Sequence, residues 1–226
     1  MPTAVPRSLT HQLSSLITSE QAVSNLQRYF GTGLPHEAAP FTGSRFEHLA
    51  GGGDRPANAN SVTADDLIAV QTLSVTIPAQ AALDLLEGDL GVRVSKLLSS
   101  VRFDIDMVAA EAADLADGSP AHAAWHLLRD QPGIGWVTAG KLLARNRPRL
   151  LPVYDRVVRC VLGRPKSFWL DLHAALRADN WALHHELMAL RQAADLPETV
   201  SALRVCDVVV WMHHRTDHQQ GSCIGT

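Results

Sequence analysis

An all-α fold is predicted by three features of the sequence. Apolar residues recur at three- and four-residue intervals along most of the chain, as on one face of an α-helix. The alternation of β-branched and polar residues that marks a half-buried strand is nearly absent. Proline, glycine and capping residues divide the periodic stretches into segments of helical length. With 46% apolar and 19% charged residues among 226, the chain can form a core and is not expected to be disordered.

Residues 1–62 are the least regular of four predicted segments. An amphipathic stretch from Ser19 to Tyr29 predicts a helix that Ser19 caps. Residues 31–60 are rich in glycine and proline and predict a long loop. This segment is therefore expected to hold one helix and a glycine-rich loop.

Residues 63–118 are predicted to form a helical lobe. Thr63 and Asp66 make a variant of the capping box, which places a helix start at this point. Proline suits a first helical turn, so a second helix is predicted from Pro78 to about Glu87. Further apolar periodicities predict helices over residues 92–100 and 104–116.

The last two segments are residues 119–166 and 167–226. The first has two helices around a glycine-containing turn and a third helix after it, and the second is a run of helices that completes the fold. The periodic stretches of both segments predict helices over residues 120–129, 136–146, 153–162, 168–178, 181–193 and 198–213.

The net charge of −3 conceals a basic segment. Residues 129–166 carry nine basic and two acidic side chains, whereas the remainder carries eleven basic and twenty-one acidic ones. A basic stripe on an acidic protein is where a polyanion could lie, although a solvated, arginine-rich helix face has the same composition. The nine basic residues are Arg129, Lys141, Arg145, Arg147, Arg149, Arg156, Arg159, Arg164 and Lys166.

Several classes of protein are excluded by composition. Three cysteines are too few for a disulfide framework or for an iron–sulfur cluster held by four thiolates. No window has the ~18 uninterrupted apolar residues that a membrane span needs, and the N-terminus lacks a signal-peptide pattern. We therefore expect a cytoplasmic protein that does not contact a membrane and has no metal site or iron–sulfur cluster.

The most informative stretch is residues 131–139, QPGIGWVTA, between two predicted helices. Gly133 and Gly135 make a tight turn whose backbone can approach a ligand closely, since neither carries a Cβ. The N–H groups that open the following helix, together with its dipole, form a site suited to a phosphate. Ile134 is expected to anchor the turn in the core. The alternative is a plain turn between helices.

This stretch resembles the helix-hairpin-helix DNA-binding motif, whose common pattern is Leu-Pro-Gly-Val/Ile-Gly-x-x-Thr-Ala. Only the leading leucine is replaced, by Gln131. The resemblance implies contacts with the DNA backbone, and it allows a structural monovalent cation at the hairpin. The residues implied in backbone contact are Gly133, Gly135, Val137 and Thr138, with Lys141 and Arg145 adding positive charge along one face.

The next stretch, residues 151–163, extends the resemblance to the helix-hairpin-helix superfamily of DNA glycosylases. In that superfamily a loop and a new helix follow the hairpin, and the first turn of this helix holds the catalytic aspartate. Asp155 lies eighteen residues after Val137, which stands at the position of the lysine in the lyase members. The superfamily keeps the same separation between that lysine and its catalytic aspartate. The match covers about thirty-five residues and does not reach residues 1–110. The whole chain looks like an uncharacterised actinobacterial family.

The glycosylase resemblance implies a two-lobed helical fold and base-excision chemistry. A carboxylate beside C1′ stabilises the oxocarbenium character of the sugar and orients or deprotonates the attacking water. Asp155 is the residue in that position, although a first-turn acid also favours the helix dipole without any catalytic role. Val137 replaces the Schiff-base lysine, and we expect Lys141, one turn further, to point past the site. The superfamily comparison therefore implies a monofunctional enzyme of the cluster-free, alkylation-repair branch.

Five aromatic or cationic side chains are candidates for the base pocket. Phe41, Arg45 and Phe46 lie in the glycine-rich loop, where ordering such side chains is costly unless they are buried or used. In this superfamily the pocket lies beside the early part of the chain, so one of the three is expected near Asp155. The alternative is that both phenylalanines fill the core. The full set is Trp136, Tyr154, Phe41, Arg45 and Phe46.

The expected function is therefore that of a monofunctional DNA N-glycosylase in base-excision repair, a hydrolase that removes a modified or damaged base. Its expected partner is duplex DNA, and we expect a monomer in the cytoplasm, associated with the nucleoid. One alternative is a helix-hairpin-helix module that binds DNA without catalysis. Another is a defence or toxin protein directed at nucleic acid.

Overall fold

The computed structural model describes residues 8–32 and 40–221, and these ranges are helical with no strand. The predicted all-α class is therefore confirmed. Short 3-10 turns cover Thr42–Arg45, Leu49–Gly51 and Met107–Ala109. The α-helices are α1 (Leu9–Ile17), α2 (Ala22–Phe30), α3 (Ala64–Gln71), α4 (Ala79–Glu87), α5 (Asp89–Leu98), α6 (Ala112–Leu115), α7 (Pro120–Arg129), α8 (Trp136–Asn146), α9 (Arg156–Leu162), α10 (Phe168–Ala193) and α11 (Ala202–Gln219).

Helices with strong local signals at their ends lie where the sequence predicts them. Helices α7 and α8 have the predicted bounds. The capping box before α3 is confirmed: the Thr63 hydroxyl accepts from the Asp66 N–H, and the Asp66 carboxylate accepts from the Thr63 N–H. The predicted break between residues 178 and 181 is a non-helical stretch within α10. Local capping chemistry thus decides these boundaries.

Other boundaries differ from the prediction. Helix α1 is not predicted, although Leu9, Leu13, Leu16 and Ile17 follow the helical spacing and Ser8 caps it. Ser19 does not cap α2, which begins after Gln21 without a side-chain cap, because the Ser19 hydroxyl donates to the Leu16 carbonyl at 2.7 Å.

The predicted helix over residues 104–116 is wrong. That segment holds a 3-10 turn and the one-turn helix α6. The Met107 N–H donates to the Arg149 carbonyl at 2.8 Å, and the Asp106 carboxylate pairs with the Arg149 guanidinium at 2.7 Å. Contacts with the segment after α8 therefore take the place of helical hydrogen bonds.

Helix α8 lies in the centre of one contiguous cluster of buried apolar side chains. Nearly all of its residues from Thr138 to Asn146 are buried, since it packs against α3 and α7. Helix α11 packs against α1, α2, α9 and α10, and its residues from Ala202 to Val210 are buried. No helix within the two described ranges is both long and apolar enough to cross a membrane.

The interpretation of residues 129–166 as one basic surface stripe is wrong. Lys141 and Arg145 of α8 and Arg147 at its C-cap are buried because α8 is a core helix. Arg149 pairs with Asp106, and Arg129 pairs with its neighbour Asp130. The surface cations of this segment are instead concentrated between residues 156 and 166.

The buried arginines hold irregular segments of the chain. Arg145 forms an ion pair with Asp66 at 2.8 Å and donates to the carbonyls of Phe46 and Leu49, each at 2.6 Å. Arg147 donates to the carbonyls of Ala59, Leu98 and Val101, among others. Carbonyls of loops that lack a regular ladder need such donors when they are buried. Residues 33–39 of the predicted long loop lie outside the described ranges.

Candidate functional site

A cavity of about 570 Å³ opens at the N-terminus of α8. Its walls come from α8, from the start of α9, from α11, and from the chain around residues 41–43 and 72–75. Asp155, Trp136 and Phe41, three residues singled out in the sequence, line it together. The volume falls within the range of ordinary small-molecule sites.

The glycine turn has the geometry that its sequence predicts. Gly133 has a φ of +78°, and a Cβ there would approach Pro78 Cγ to 2.5 Å, so this position requires glycine. Ile134 is buried in the core, as expected for the anchor of the turn. Gly135 has an ordinary φ of −83°, and a Cβ there would meet nothing within 4 Å. Its local conformation does not need glycine, and the space beside it is open.

The N-terminus of α8 forms part of the cavity wall. Gly135 is the N-cap residue, and no side chain caps the helix. Gly135, Val137 and Thr138 all line the cavity, whereas Gly133 is exposed beside it. Amide donors and the positive end of the helix dipole are thus directed to the region where an anion could lie.

Asp155 is both a helix cap and a cavity residue. Its Oδ1 accepts from the N–H groups of Val157 and Val158 at 3.0 and 3.1 Å, which fixes the carboxylate at the start of α9. The side chain remains 15% exposed. Asp155 is thus the N-cap of α9 rather than a first-turn acid, and Oδ2 is the oxygen that is left for other contacts.

Lys141 is the ion-pair partner of Asp155. Its Nζ lies 3.5 Å from Asp155 Oδ2 and donates to the Leu73 carbonyl at 2.8 Å, with the side chain 6% exposed. Burial lowers the pKa of Lys141, and the nearby Asp155 opposes that shift. The expectation that Lys141 points past the site is wrong, because the buried helix directs its amine into the cavity.

Two predicted DNA contacts are also corrected. The Arg145 guanidinium is fully buried against Asp66, so it is not available to a phosphate. Lys141 is buried beside Asp155 and contacts the cavity instead of an outer helix face. A helix that is enclosed on all sides offers no cationic face, whatever the spacing of its basic residues.

Two of the five base-pocket candidates line the cavity. Phe41 lies on its wall, stacked on Tyr29 with ring centroids 5.3 Å apart. Trp136 lies on the wall beside the hairpin, with the Arg159 guanidinium 4.8 Å above its ring. The Phe41 ring is thus positioned by Tyr29, and the Trp136 ring by Arg159.

The other three candidates do not line the cavity. Phe46 is buried in the core, which confirms the alternative interpretation for that ring. Arg45 is exposed and does not line the cavity. Tyr154 stacks on Phe168 with centroids 4.0 Å apart and donates its hydroxyl proton to the Gly163 carbonyl. The loop therefore contributes Phe41 alone of its three candidates.

Arg204 and Asp207 of α11 are cavity residues that the sequence argument missed. Arg204 donates to Asp207 Oδ2 and to the Tyr29 hydroxyl, both at 2.6 Å, and to the Gly43 carbonyl at 2.8 Å. The signal available in the sequence is an arginine and an aspartate three residues apart within the otherwise apolar stretch 202–212. Such a pair in a buried helix indicates an internal polar network.

Burial changes the acidity of this network. It raises the pKa of Asp207 to about 7, against the opposing effect of Arg204. It likewise raises the pKa of Glu47 to about 7, although the Ser201 hydroxyl and N–H donate to that carboxylate. Strongly shifted acids in a cleft are common at functional sites. Among the described residues, no cluster of His, Cys, Asp and Glu could hold a metal ion.

The chain was compared with protein families, with curated proteins and with solved structures. No curated protein and no solved structure matches it. One family model does match, over residues 22–214, which include the hairpin, Asp155 and the Arg204–Asp207 pair. Because this match covers most of the chain, the protein belongs to the family of unknown function DUF6308.

Proposed function

We propose that the protein is a DNA N-glycosylase with a two-lobed helix-hairpin-helix arrangement. The observation that carries this proposal is the position of Asp155, on the wall of a 570 Å³ cavity that also includes the uncapped N-terminus of α8. A carboxylate and a helix N-terminus at one cavity suit a nucleotide, whose sugar would lie by the carboxylate and whose phosphate would lie by the amides.

The hairpin would hold the DNA backbone. The open space at Gly135 lets a phosphate approach the N–H groups of α8 without meeting a side chain. To enter the cavity, the target nucleotide must leave the base stack, as in other enzymes that act on a base. Trp136 and Phe41 on the walls supply aromatic surface for the extruded base.

Asp155 would act at the sugar. With Oδ1 held by two backbone N–H groups, Oδ2 is the oxygen that faces the reacting atoms. As the C1′–N bond breaks and its electron pair leaves with the base, the carboxylate stabilises the cation at C1′. It then accepts the proton of the water whose oxygen bonds to C1′.

Lys141 would support Asp155 rather than attack the sugar. Its Nζ is engaged by the Leu73 carbonyl and by Asp155, and a nucleophilic amine needs a free lone pair. The excision we propose therefore leaves an abasic site in an intact strand, in agreement with the valine at position 137.

Duplex DNA would be held by cations near the cavity mouth. Arg156 is exposed and lines the cavity, and Arg164 and Lys166 are exposed beyond the end of α9. These residues take the role that the sequence suggested for Lys141 and Arg145. Phosphate contacts of this kind position the duplex without reading its sequence.

The test is base excision by the wild-type protein and by Asp155→Asn. Duplexes that contain alkylated, oxidised, deaminated or hypermodified bases are incubated with each protein, and abasic sites are revealed by alkali. Asparagine caps a helix as well as aspartate does, and thermal unfolding of Asp155→Asn shows whether loss of the charge beside buried Lys141 unfolds the protein. Excision is expected to fall by about 10²–10⁴-fold.

A matched control is Asp171→Asn, which removes an exposed carboxylate from the first turn of α10. It is expected to excise at the wild-type rate. DNA binding without excision of any base would overturn the catalytic proposal and favour a non-catalytic helix-hairpin-helix module. Absence of both would overturn the whole proposal.

A further inference from the structure

We infer that Asp207 protonates the departing base, so that the cavity holds two carboxyl groups with different tasks. This inference rests on the proposed function and extends it to the substrate. An enzyme that supplies this proton can remove bases that leave poorly as anions. It would therefore act on neutral lesions, such as deaminated bases, and not only on alkylated bases that already carry a positive charge.

The geometry places both acids at one cavity. Asp155 begins α9 and Asp207 lies on α11, and these two helices pack against each other. Both side chains line the cavity, and that of Asp207 is 7% exposed. An acid for the base and a carboxylate for the sugar must flank one nucleotide, as the two carboxyl groups of a glycosidase flank its bond.

The two oxygens of Asp207 have different surroundings. Oδ2 accepts from Arg204 at 2.6 Å. Oδ1 is buried and has no hydrogen-bond partner among the described residues. An unpaired buried oxygen is costly for a carboxylate, which only accepts, so the neutral acid is the less costly form at this position.

Charged groups from four elements face Asp207. Arg204 on its own helix and Lys141 on α8 lower its pKa, whereas Glu47 and Asp155 raise it. Burial is the largest cause, and the result is a pKa of about 7. The neutral form of Asp207 is thus present near neutral pH. Asp155, in contrast, accepts hydrogen bonds from two backbone N–H groups and faces the Lys141 amine.

The step balances as a hydrolysis. The C1′–N bond breaks, its electron pair remains on the base, and the base receives the Asp207 proton. Water bonds to C1′ and gives its proton to Asp155. Return of that proton through solvent to Asp207 restores both carboxyl groups, and the net change is addition of one water molecule across the bond.

The test compares two duplexes that differ in the charge of the lesion. One contains hypoxanthine, a neutral base, and the other contains 7-methylguanine, which is cationic and leaves without a proton. Asp207→Asn keeps an oxygen for Arg204 and removes the acidic proton. It is expected to lower excision of hypoxanthine about 10²-fold more than excision of 7-methylguanine, because general acid catalysis contributes about 10²–10⁴-fold. Asp155→Asn is expected to lower both.

Glu47→Gln is the matched control. Glu47 is a second buried acid with a raised pKa, but it does not line the cavity that holds Asp155. At pH 5, below the pKa of Asp207 with or without the Glu47 charge, its amide is expected to leave the ratio of the two excision rates at the wild-type value. Thermal unfolding of each variant shows whether a low rate reflects loss of the fold.

A second readout needs no variant. In the wild-type protein, hypoxanthine excision is expected to fall as the pH rises through about 7, where Asp207 loses its proton. Equal loss on both duplexes in Asp207→Asn, or a hypoxanthine rate that does not fall above pH 7, would overturn the inference. Excision of 7-methylguanine without any neutral base would overturn it and leave the proposed function intact. Absence of all excision would overturn the proposed function itself.

Discussion

Lys141 Nζ and Asp155 Oδ2 lie 3.5 Å apart, although the two residues belong to different helices on either side of a loop. Both side chains are mostly buried, and both line the cavity. Removing one partner of a buried pair leaves an uncompensated charge, which is strongly destabilising. The pair therefore ties the hairpin helix α8 to the helix that carries the proposed catalytic carboxylate.

This pair leads to a prediction about strand cleavage. A duplex with a preformed abasic site, incubated with the wild-type protein and borohydride, is expected to give no covalent adduct. The amine of Lys141 is engaged by Leu73 and Asp155 and is not free to attack an aldehyde. An adduct that Lys141→Arg no longer forms would contradict the monofunctional proposal.

The two hairpin glycines are predicted to respond differently to alanine. Gly133→Ala is expected to lower the free energy of unfolding by about 1–2 kcal/mol, because its φ is +78° and Pro78 leaves no room. Gly135→Ala is expected to change stability by less than about 0.5 kcal/mol, since its φ is ordinary and its Cβ meets nothing.

The same alanine at position 135 would stand where a phosphate approaches the amides of α8. DNA affinity is expected to fall on the order of tenfold, the equivalent of one charge-assisted hydrogen bond. Fluorescence anisotropy and denaturant unfolding measure the two effects separately. Unchanged affinity in a folded Gly135→Ala protein would mean that the turn does not bind the DNA backbone.

Surface cations near α9 are predicted to set the salt dependence of binding. Charge reversal of both Arg156 and Arg164 is expected to reduce the slope of log K against log salt by about 2, since each lost phosphate contact removes about 0.9. Arg93→Glu, on the exposed face of α5, is the control and is expected to retain the wild-type slope. A wild-type protein that binds duplex DNA without any salt dependence would contradict this assignment.

Glu47 is predicted to make folding stability depend on pH. Its folded-state pKa is about 7 and its ordinary value is 4.5, so the folded protein binds more protons between these values. The stability it contributes is present below about pH 4.5 and is lost as the pH rises through about 7. Asp207 acts in the same direction, since burial raises its pKa to about 7 as well.

Denaturant unfolding at several pH values tests this prediction. Glu47→Gln is expected to lose less stability than the wild type between pH 5 and 8, because its amide does not ionise. Equal pH dependence in the two proteins would show that Glu47 is already charged at pH 5.

The elements that the sequence predicts well are those with local signals. Helices α7 and α8 are bounded by a proline, a capping serine and the glycine turn, and their predicted bounds match. Asp155 is marked by its place at the start of α9, where its cap contacts are local in sequence. These features depend on neighbours within a few residues, which a single sequence displays directly.

The features that the sequence does not predict depend on contacts between distant segments. The direction of Lys141 follows from burial of α8 on all sides, which the spacing of its charges does not reveal. The partners of Arg204 come from Tyr29 and Gly43, more than 160 residues earlier in the chain. The α11 side of the cavity wall is thus decided by tertiary packing.

The three buried cations of α8 and its C-cap have a mechanical consequence. Lys141, Arg145 and Arg147 hold carbonyls from four separate stretches of the chain, around residues 46–49, 59, 73 and 98–101. The N-terminus of the same helix forms the hairpin end of the cavity. A shift of α8 along its axis, in response to a load on the hairpin, would therefore pull all four stretches with it. A displacement of the hairpin at the mouth of the cavity would therefore move the cavity walls together and would not be confined to one loop.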